Sequence, residues 1–403
     1  MRRLATQRAA ARMLALLLAV CPPAWAQWHF ADALDVAGPA SAFHHLSASG
    51  RQSLAVAAGR VALAWEDDHT GTPRCYLALR QAGGADFETR ELGTGECYDP
   101  AVTALAEGAF AVAWEDEAGV RVARVDAAGT GTPLTLAPRG GQSSLAWHAE
   151  AGLWVAWSEP EARWRRLRLG RVDMAGATPV IVATQPADAQ PLQDDQLYPA
   201  LAATRDGLAL AWEDRRHGHT VILASRLHRG SWSAPQRVSR NPTGRAPGTE
   251  LGRGTGAMRP AIAGYGDHGV SVVWLDKRDF LSGYDVYAAT SADGGAHYGA
   301  DLKVQDSFGD AIPQWHAGVA GNRRGDLAYA WDDLRDGNPD IWLSWPSGSG
   351  HADNVSSVLT SGPAAQTDPV FALDEAGDLH LAWVERGSDG RSRLRYAVDH
   401  RAP

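Results

Sequence analysis

A short apolar run that ends in tryptophan, with an acid two residues further on, recurs seven times along the chain. The tryptophans are Trp65, Trp114, Trp157, Trp212, Trp274, Trp331 and Trp383, spaced 49, 43, 55, 62, 57 and 52 residues apart. A period of this size marks a repeat architecture. Within each run large and small side chains alternate: Phe110, Val112 and Trp114 share one face, and Ala109, Ala111 and Ala113 the other. Alternation with a period of two means a β-strand, and apolar residues on both faces mean a strand covered on both sides. The bulky face of one sheet suits the alanine face of the next, which is how sheets stack around a ring. The pattern therefore predicts an all-β fold, a seven-bladed β-propeller with four-stranded antiparallel blades.

The fourth repeat shows the unit most clearly. An inner strand at Tyr198–Ala202 is followed by a turn at Arg205–Gly207, the tryptophan strand, a third strand from Thr220 and an outer strand from Trp232. Gly- and Asp-rich turns separate the strands, as a blade requires. The seventh repeat stops after its third strand, near Tyr396–Asp399, and the segment Trp28–Val36 resembles the outer strands of other repeats. The N-terminal strand is therefore expected to complete the last blade and close the ring, removing an open sheet edge. Two insertions interrupt the period, Pro186–Gln196 and the Gly- and Arg-rich Asn241–Met258. Each enters an inner strand and reads either as a functional loop or as a solvated linker.

Residues 1–26 read as a secretory signal peptide: arginines at the start, an apolar run from Met13 to Val20, and the small-x-small site Ala24-Trp25-Ala26. Residues 27–403 then form one propeller domain, exported to the periplasm or beyond. Removal of the leader would take four arginines and no acid, leaving 34 Lys+Arg against 47 Asp+Glu, a net charge of −13. Such a chain repels nucleic-acid phosphates and anionic membrane surfaces. It is expected to act as a monomer with no membrane insertion. Cys75 and Cys97, the two cysteines past the leader, read as a disulfide in an exported protein, or else as a buried pair of free thiols.

Ser291-Ala292-Asp293-Gly294-Gly295-Ala296-His297-Tyr298 resembles the Asp-box, or BNR, turn of the sialidase superfamily, whose key positions here are Ser291, Asp293, Gly295 and Tyr298. The stretches Trp274–Arg278 and Trp331–Gly337 are similar to blades of that group. The resemblance implies a propeller, and for the box a structural role in a turn between outer strands. The chain departs from the group in its catalytic signature. Sialidases are usually six-bladed and hold the substrate carboxylate with three arginines, the first in an Arg-Ile-Pro motif, and that motif is missing. Of the residues that open inner strands, Arg259 alone is an arginine, so the clamp cannot be assembled position by position.

Two residue sets carry the functional expectations. The acids two places after each tryptophan are Asp67, Asp116, Glu159, Asp214, Asp276, Asp333 and Glu385, with an arginine at the fourth place in three repeats, Arg216, Arg278 and Arg335. A feature shared by all repeats reads as a turn cap or local ion pair; the other reading is a ring of carboxylates at the channel mouth. Residues that break the repeat are better candidates for a ligand site. Arg215, His217, Asp279 and Asp332 follow tryptophan strands, and Tyr98, Asp99, Arg259, Trp315, His316 and Asp368 lie near the starts of inner strands. Both sets should converge near the axis on one face. Carboxylates and arginines beside aromatic platforms suit sugars, which present hydroxyl edges and apolar faces. The reading that follows is a glycan- or glycoconjugate-binding propeller. The alternatives are a glycoside-cleaving enzyme with two facing carboxylates, and a scaffold for an extracytoplasmic protein. No cofactor is expected. The acids of Asp332–Asp340 loosely suggest a calcium loop without EF-hand spacing, and the histidines form no metal-binding pattern.

Overall fold

In a computed structural model of the chain, residues 30–37, 43–176, 178–191, 193–216, 219–241, 256–278, 283–346 and 356–400 are described. The leader, His217, Asp279 and most of the Asn241–Met258 insertion lie outside them. Seven antiparallel sheets form one ring, and each is ordered from an inner strand through the tryptophan strand and a third strand to an outer strand. The tryptophan strands are Arg60–Asp67, Phe110–Asp116, Gly152–Glu161, Gly207–Asp214, Gly269–Asp276, Leu327–Asp333 and Leu379–Arg386.

The chain closes its own ring. Leu34–Asp35 pairs antiparallel with the third strand of blade seven, Leu34 opposite Tyr396. The backbone bonds Ala31 N–H to Val398 O and Val36 N–H to Leu394 O extend the pairing at either end. The residues from 31 onward thus supply the outer strand that the seventh repeat lacks.

Packing between blades follows the large–small alternation. Phe110, Val112 and Trp114 of blade two bury against Ala62 and Ala64 of blade one. Trp212 packs against Ala156, Trp274 against Ala209 and Ala211, and Trp383 against Ala328 and Ala330. Across the closure, Val61, Leu63 and Trp65 meet Ala382 and Val384. Each fully buried large apolar side chain contributes on the order of 1.5–3 kcal/mol, so the seven interfaces form the core, with no α-helix among the described residues.

The acid two places after tryptophan faces its own indole. Tryptophan Nε1–H donates to Asp67 at 2.9 Å, to Asp116 and Glu159 at 3.0 Å, to Asp214 at 3.3 Å, to Asp276 at 2.9 Å and to Asp333 at 3.0 Å. The same aspartates cap the following turn, as where Asp276 accepts the Arg278 N–H at 2.8 Å. They also anchor the arginine at the fourth place. Arg216 spans Asp214 and Asp188, Arg278 spans Asp276 and Asp301, and Arg335 spans Asp333 and Asp306. These carboxylates are committed within their blades and form no ring at the channel mouth. Blade seven departs: the Trp383 indole N–H is buried without a partner among the described residues.

The Pro186–Gln196 insertion is knitted in rather than loose, through buried Asp188 on Arg216 and Asp195 accepting the Arg165 N–H at 2.7 Å. In the Ser291–Tyr298 turn, the Ser291 hydroxyl donates to Asp293 at 2.7 Å and accepts the Gly295 N–H at 2.9 Å, while Asp293 accepts the His297 N–H at 2.9 Å. Tyr298 packs beneath it against the blade-four and blade-five interface. A disulfide joins Cys75 in the third strand of blade one to Cys97 in the inner strand of blade two, with Cα atoms 5.3 Å apart.

Candidate functional site: a ring of left-handed residues over a one-sided cavity

The inner strands of blades two to seven shift register near their starts, between Tyr98 and Ala101, Gly141 and Ser144, Leu197 and Ala200, Met258 and Ala261, Trp315 and Gly318, and Thr367 and Val370. At each bulge one residue adopts a left-handed backbone: Asp99, Gln142, Tyr198, Arg259, His316 and Asp368, with φ of 48° to 58°. Arg51, with φ 60°, takes the corresponding place in blade one, where the short 3-10 turn Ser49–Arg51 interrupts the inner strand. None of the seven is glycine, and each such residue costs roughly 1–2 kcal/mol. Bulges of this kind re-aim side chains beside functional sites. Five of the seven, Arg51, Tyr198, Arg259, His316 and Asp368, line one cavity.

The residue one place after tryptophan holds four of these positions. Glu66 accepts the Asp99 N–H at 3.4 Å, Glu213 the Arg259 N–H at 2.5 Å, Asp332 the Asp368 N–H at 3.3 Å, and Glu115 the Gln142 N–H. Blade three has Ser158 at that place, too short to reach, and the Tyr198 N–H bonds instead to the Gln142 side chain at 3.0 Å. Burial pushes the carboxyls of Glu66, Glu115 and Glu213 up to about 7, because the charged form loses hydration that one amide donor does not replace.

The segment Phe43–Arg51 crosses the channel mouth. The Ser47 hydroxyl donates to Asp99 at 2.9 Å. Gln52 then pins the segment to the axis: its amide nitrogen donates to Leu201 O at 2.5 Å, and its side-chain oxygen accepts the Ser144 hydroxyl at 2.8 Å and the Leu145 N–H at 2.9 Å. Gly50, with φ 67°, sits so close to blade four that a Cβ would lie 3.0 Å from that of Ala200. What stays open is a cavity of about 520 Å³ walled by this segment and by Tyr198, Arg259, Trp315, His316, Asp368 and Arg386.

His316 is the hub of the polar wall. Its Nδ1 lies 2.6 Å from Asp332 Oδ1 and its Nε2 3.3 Å from Asp368 Oδ1. Burial works to lower its pKa, but the charge and hydrogen bond of Asp332, with Asp368 beyond, outweigh burial and raise it. Arg51 approaches Asp368 at 3.8 Å and donates to Pro369 O at 2.9 Å. The rim is aromatic. Trp315 is 42% exposed and packs on Tyr284 with ring centroids 5.3 Å apart. Phe43, also 42% exposed, lies under the Arg386 guanidinium at 5.1 Å.

Of the residues singled out in the sequence, the cavity gathers Arg259, Trp315, His316 and Asp368, with Asp332 directly behind His316. Asp99 sits on the ring but behind the mouth segment, bonded to Ser47. Tyr98 points outward and donates to Glu96 at 3.0 Å, and Arg215 is exposed away from the cavity lining. Asp332 and Asp333 diverge, one to His316 and the other to Arg335. Sequence reasoning missed Arg51, Gln142, Tyr198 and Arg386 as site residues, and Glu66, Glu115 and Glu213 as their supports. An acid one place after tryptophan in four repeats was the available signal for the supports.

No family model and no curated protein sequence matches the chain. Among solved structures it is similar to the β-propeller domain of the Trilobed protease from Pyrococcus furiosus, which has an open velcro topology. The TM-score is 0.52 at 10% identity, over 86% of this chain and 92% of that one. A protein of unknown function from Dyadobacter fermentans gives 0.51 at 10% identity, over 93% and 99%. The acylaminoacyl peptidase of Pyrococcus horikoshii gives 0.52 at 8% identity, over 87% of this chain and 52% of the peptidase. Identities this low bear on the fold, and the fold they share is the propeller.

Proposed function

We propose that this chain is an exported, monomeric propeller that binds a glycan or glycoconjugate in the axial cavity. The observation that carries this reading is the pairing of an exposed aromatic rim, Trp315 and Phe43, with the His316–Asp368–Arg51 wall in one cavity of about 520 Å³. Sugars bury an apolar ring face on an indole while their hydroxyls meet fixed donors and acceptors, and a concave site with a few convergent polar groups suits that need. The seven left-handed residues support a ligand role, since strain held at one position in every blade serves side-chain aim rather than packing.

Binding is preferred over glycoside cleavage on a specific ground. Cleavage requires two carboxyls across the sugar, and among the described residues Asp368 is the single carboxylate in the cavity lining. The chain's sialidase-like and Asp-box character rests on the Ser291–Tyr298 turn, and its export on the leader pattern.

The test is a glycan-array screen of the chain from residue 27, beside Trp315→Ala. Selective binding that the variant loses by tenfold or more, with an unchanged melting temperature, supports the reading. Binding that survives the substitution removes the rim from the site, and turnover of a bound glycan would move the assignment to an enzyme.

A further inference from the structure

The chain carries a net charge of −9, yet its axial cavity is rich in cations. Arg51, Arg259, Arg386 and His316 line it against Asp368, whose carboxylate is already shared by His316 and Arg51. Arg259, exposed at the cavity, and half-buried Arg386 differ from the arginines of the tryptophan turns. Arg216, Arg278 and Arg335 are each held by two aspartates. The side chains of Arg259 and Arg386 make no hydrogen bond or ion pair among the described residues, and each is instead laid on an aromatic ring. Arg259 lies 3.7 Å above Tyr198, and Arg386 lies 5.1 Å from the Phe43 centroid. Stacking fixes the plane of a guanidinium and leaves its N–H edges free, in a fork that matches an oxyanion. Arg259 is further fixed by its backbone, bonded through N–H to Glu213 and left-handed at φ 53°.

We propose that the ligand of this cavity carries an oxyanion, the carboxylate or sulfate ester of an acidic sugar, seated on the free guanidinium edges of Arg259 and Arg386. The inference rests on the saccharide reading above and adds the ligand's charge. Carboxylate and sulfate present the same oxygen edge to an arginine, so the chemistry is shared and the source is left to the experiment. Aromatic stacking in place of a carboxylate partner keeps both cations available, whereas an aspartate at either position would have filled the fork.

The experiment is calorimetric titration of the chain from residue 27 with an oligogalacturonate, a sulfated oligogalactose and a neutral oligogalactose of equal length. Sodium succinate and sodium sulfate serve as anions without a sugar. The wild type is expected to bind an acidic oligosaccharide at least about tenfold more tightly than the neutral one, the worth of a charge-assisted hydrogen bond. Arg259→Gln and Arg386→Gln should each remove that preference while leaving the weak neutral affinity and the melting temperature in place. Arg259→Lys, which keeps the charge and loses the fork, should retain part of it. Equal affinity for neutral and acidic sugars, or acidic binding undiminished in the double Arg→Gln variant, overturns the charge assignment and leaves the saccharide reading standing. Arginine-dependent binding of succinate or sulfate with no oligosaccharide bound overturns the saccharide reading and supports the anion site. Failure of every probe overturns both.

Discussion

Two places in each blade lie close together along the chain and obey opposite rules. At the tryptophan latch the side chains repeat, an indole N–H on an acid two residues away in six blades. At the axial bulge the backbone repeats, left-handed in all seven blades, while the side chain never settles: Arg51, Asp99, Gln142, Tyr198, Arg259, His316 and Asp368. The latch faces the neighbouring sheet, where one solution to packing and hydrogen bonding serves every interface. The bulge faces the axis, where neighbours in the ring must differ if they are to shape a one-sided cavity. Repetition of side chains thus marks what holds the ring together, and repetition of backbone with free side chains marks what the ring presents.

The largest effect that could break this division is at the latch. Trp274 is fully buried against Ala209 and Ala211, and Trp274→Ala should cost about 3–5 kcal/mol, as aromatic truncations in cores do. Urea unfolding followed by far-ultraviolet circular dichroism measures it. A loss under about 1 kcal/mol would mean that blades do not depend on their tryptophans.

Next in size is the acid of the latch, with an internal control. Asp276 is fully buried and holds the Trp274 indole, the Arg278 amide and the Arg278 guanidinium. Asp276→Ala strands those donors and should cost about 3 kcal/mol, as breaking a buried ion pair does. Glu385 occupies the same place in blade seven, where the Trp383 indole has no partner among the described residues, and Glu385→Ala should cost no more than about 0.5 kcal/mol. Equal losses at the two sites would dissolve the latch as an explanation for the repeated acid.

The sequence disclosed these two places unequally, for physical reasons. Packing leaves a period: the alternation around Trp114 or Trp331 is legible because the core sees every second residue, and it revealed the blade count and the closing strand. The bulges leave no such trace. Any residue type can be forced left-handed when its amide is held from outside, and the holder of Asp99 is Glu66, thirty-three positions away. His316, Trp315, Arg259 and Asp368 were found because they break the repeat near strand starts. Arg51 was missed because the inner strand of blade one is split by a 3-10 turn. Arg386 was missed because it ends a tryptophan strand, where the eye is drawn to the acid before it. The exclusion of Asp99 from the cavity follows from the path of Phe43–Arg51, which no local pattern announces.

Three supports of the ring, Glu66, Glu115 and Glu213, should titrate near neutral pH. Glu213 is 4% exposed, and burial, opposed by the Arg259 amide and by the charges of Arg259 and Arg215, pushes its carboxyl up to about 7. A carboxyl raised on folding binds more protons in the native than in the unfolded state between its two pKa values. Stability therefore falls as pH rises from about 4.5 toward 7 and above. His316 acts in the same direction: its raised pKa adds stability that is complete below about 6.5 and is lost as pH climbs through the folded value. Glu213→Gln keeps the acceptor for Arg259 N–H and removes the titration. At pH 8 it should be more stable than the wild type on the order of 2 kcal/mol, and the gap should close at pH 5. Melting curves at the two pH values decide it, and a gap independent of pH would mean that Glu213 is ionised throughout.

The smallest effect in energy is the most pointed. If the left-handed backbone at Arg259 exists to aim its guanidinium, relieving the strain should leave the fold no worse and cost the ligand. Glycine adopts φ near 53° without steric penalty. The relief of roughly 1 kcal/mol is offset in part by the freer unfolded chain. Arg259→Gly should therefore be between unchanged and about 1 kcal/mol more stable, while affinity for the cavity ligand drops by tenfold or more. The same change at Asp99, shut behind the mouth segment and bonded to Ser47, should leave ligand affinity within about threefold, because less than about 1 kcal/mol reaches the cavity. Chemical denaturation and titration calorimetry on both variants read the two quantities separately. A stability loss above about 1 kcal/mol at Arg259 would make the bulge a structural element like the latch, and the distinction between the two places in each blade would fail there.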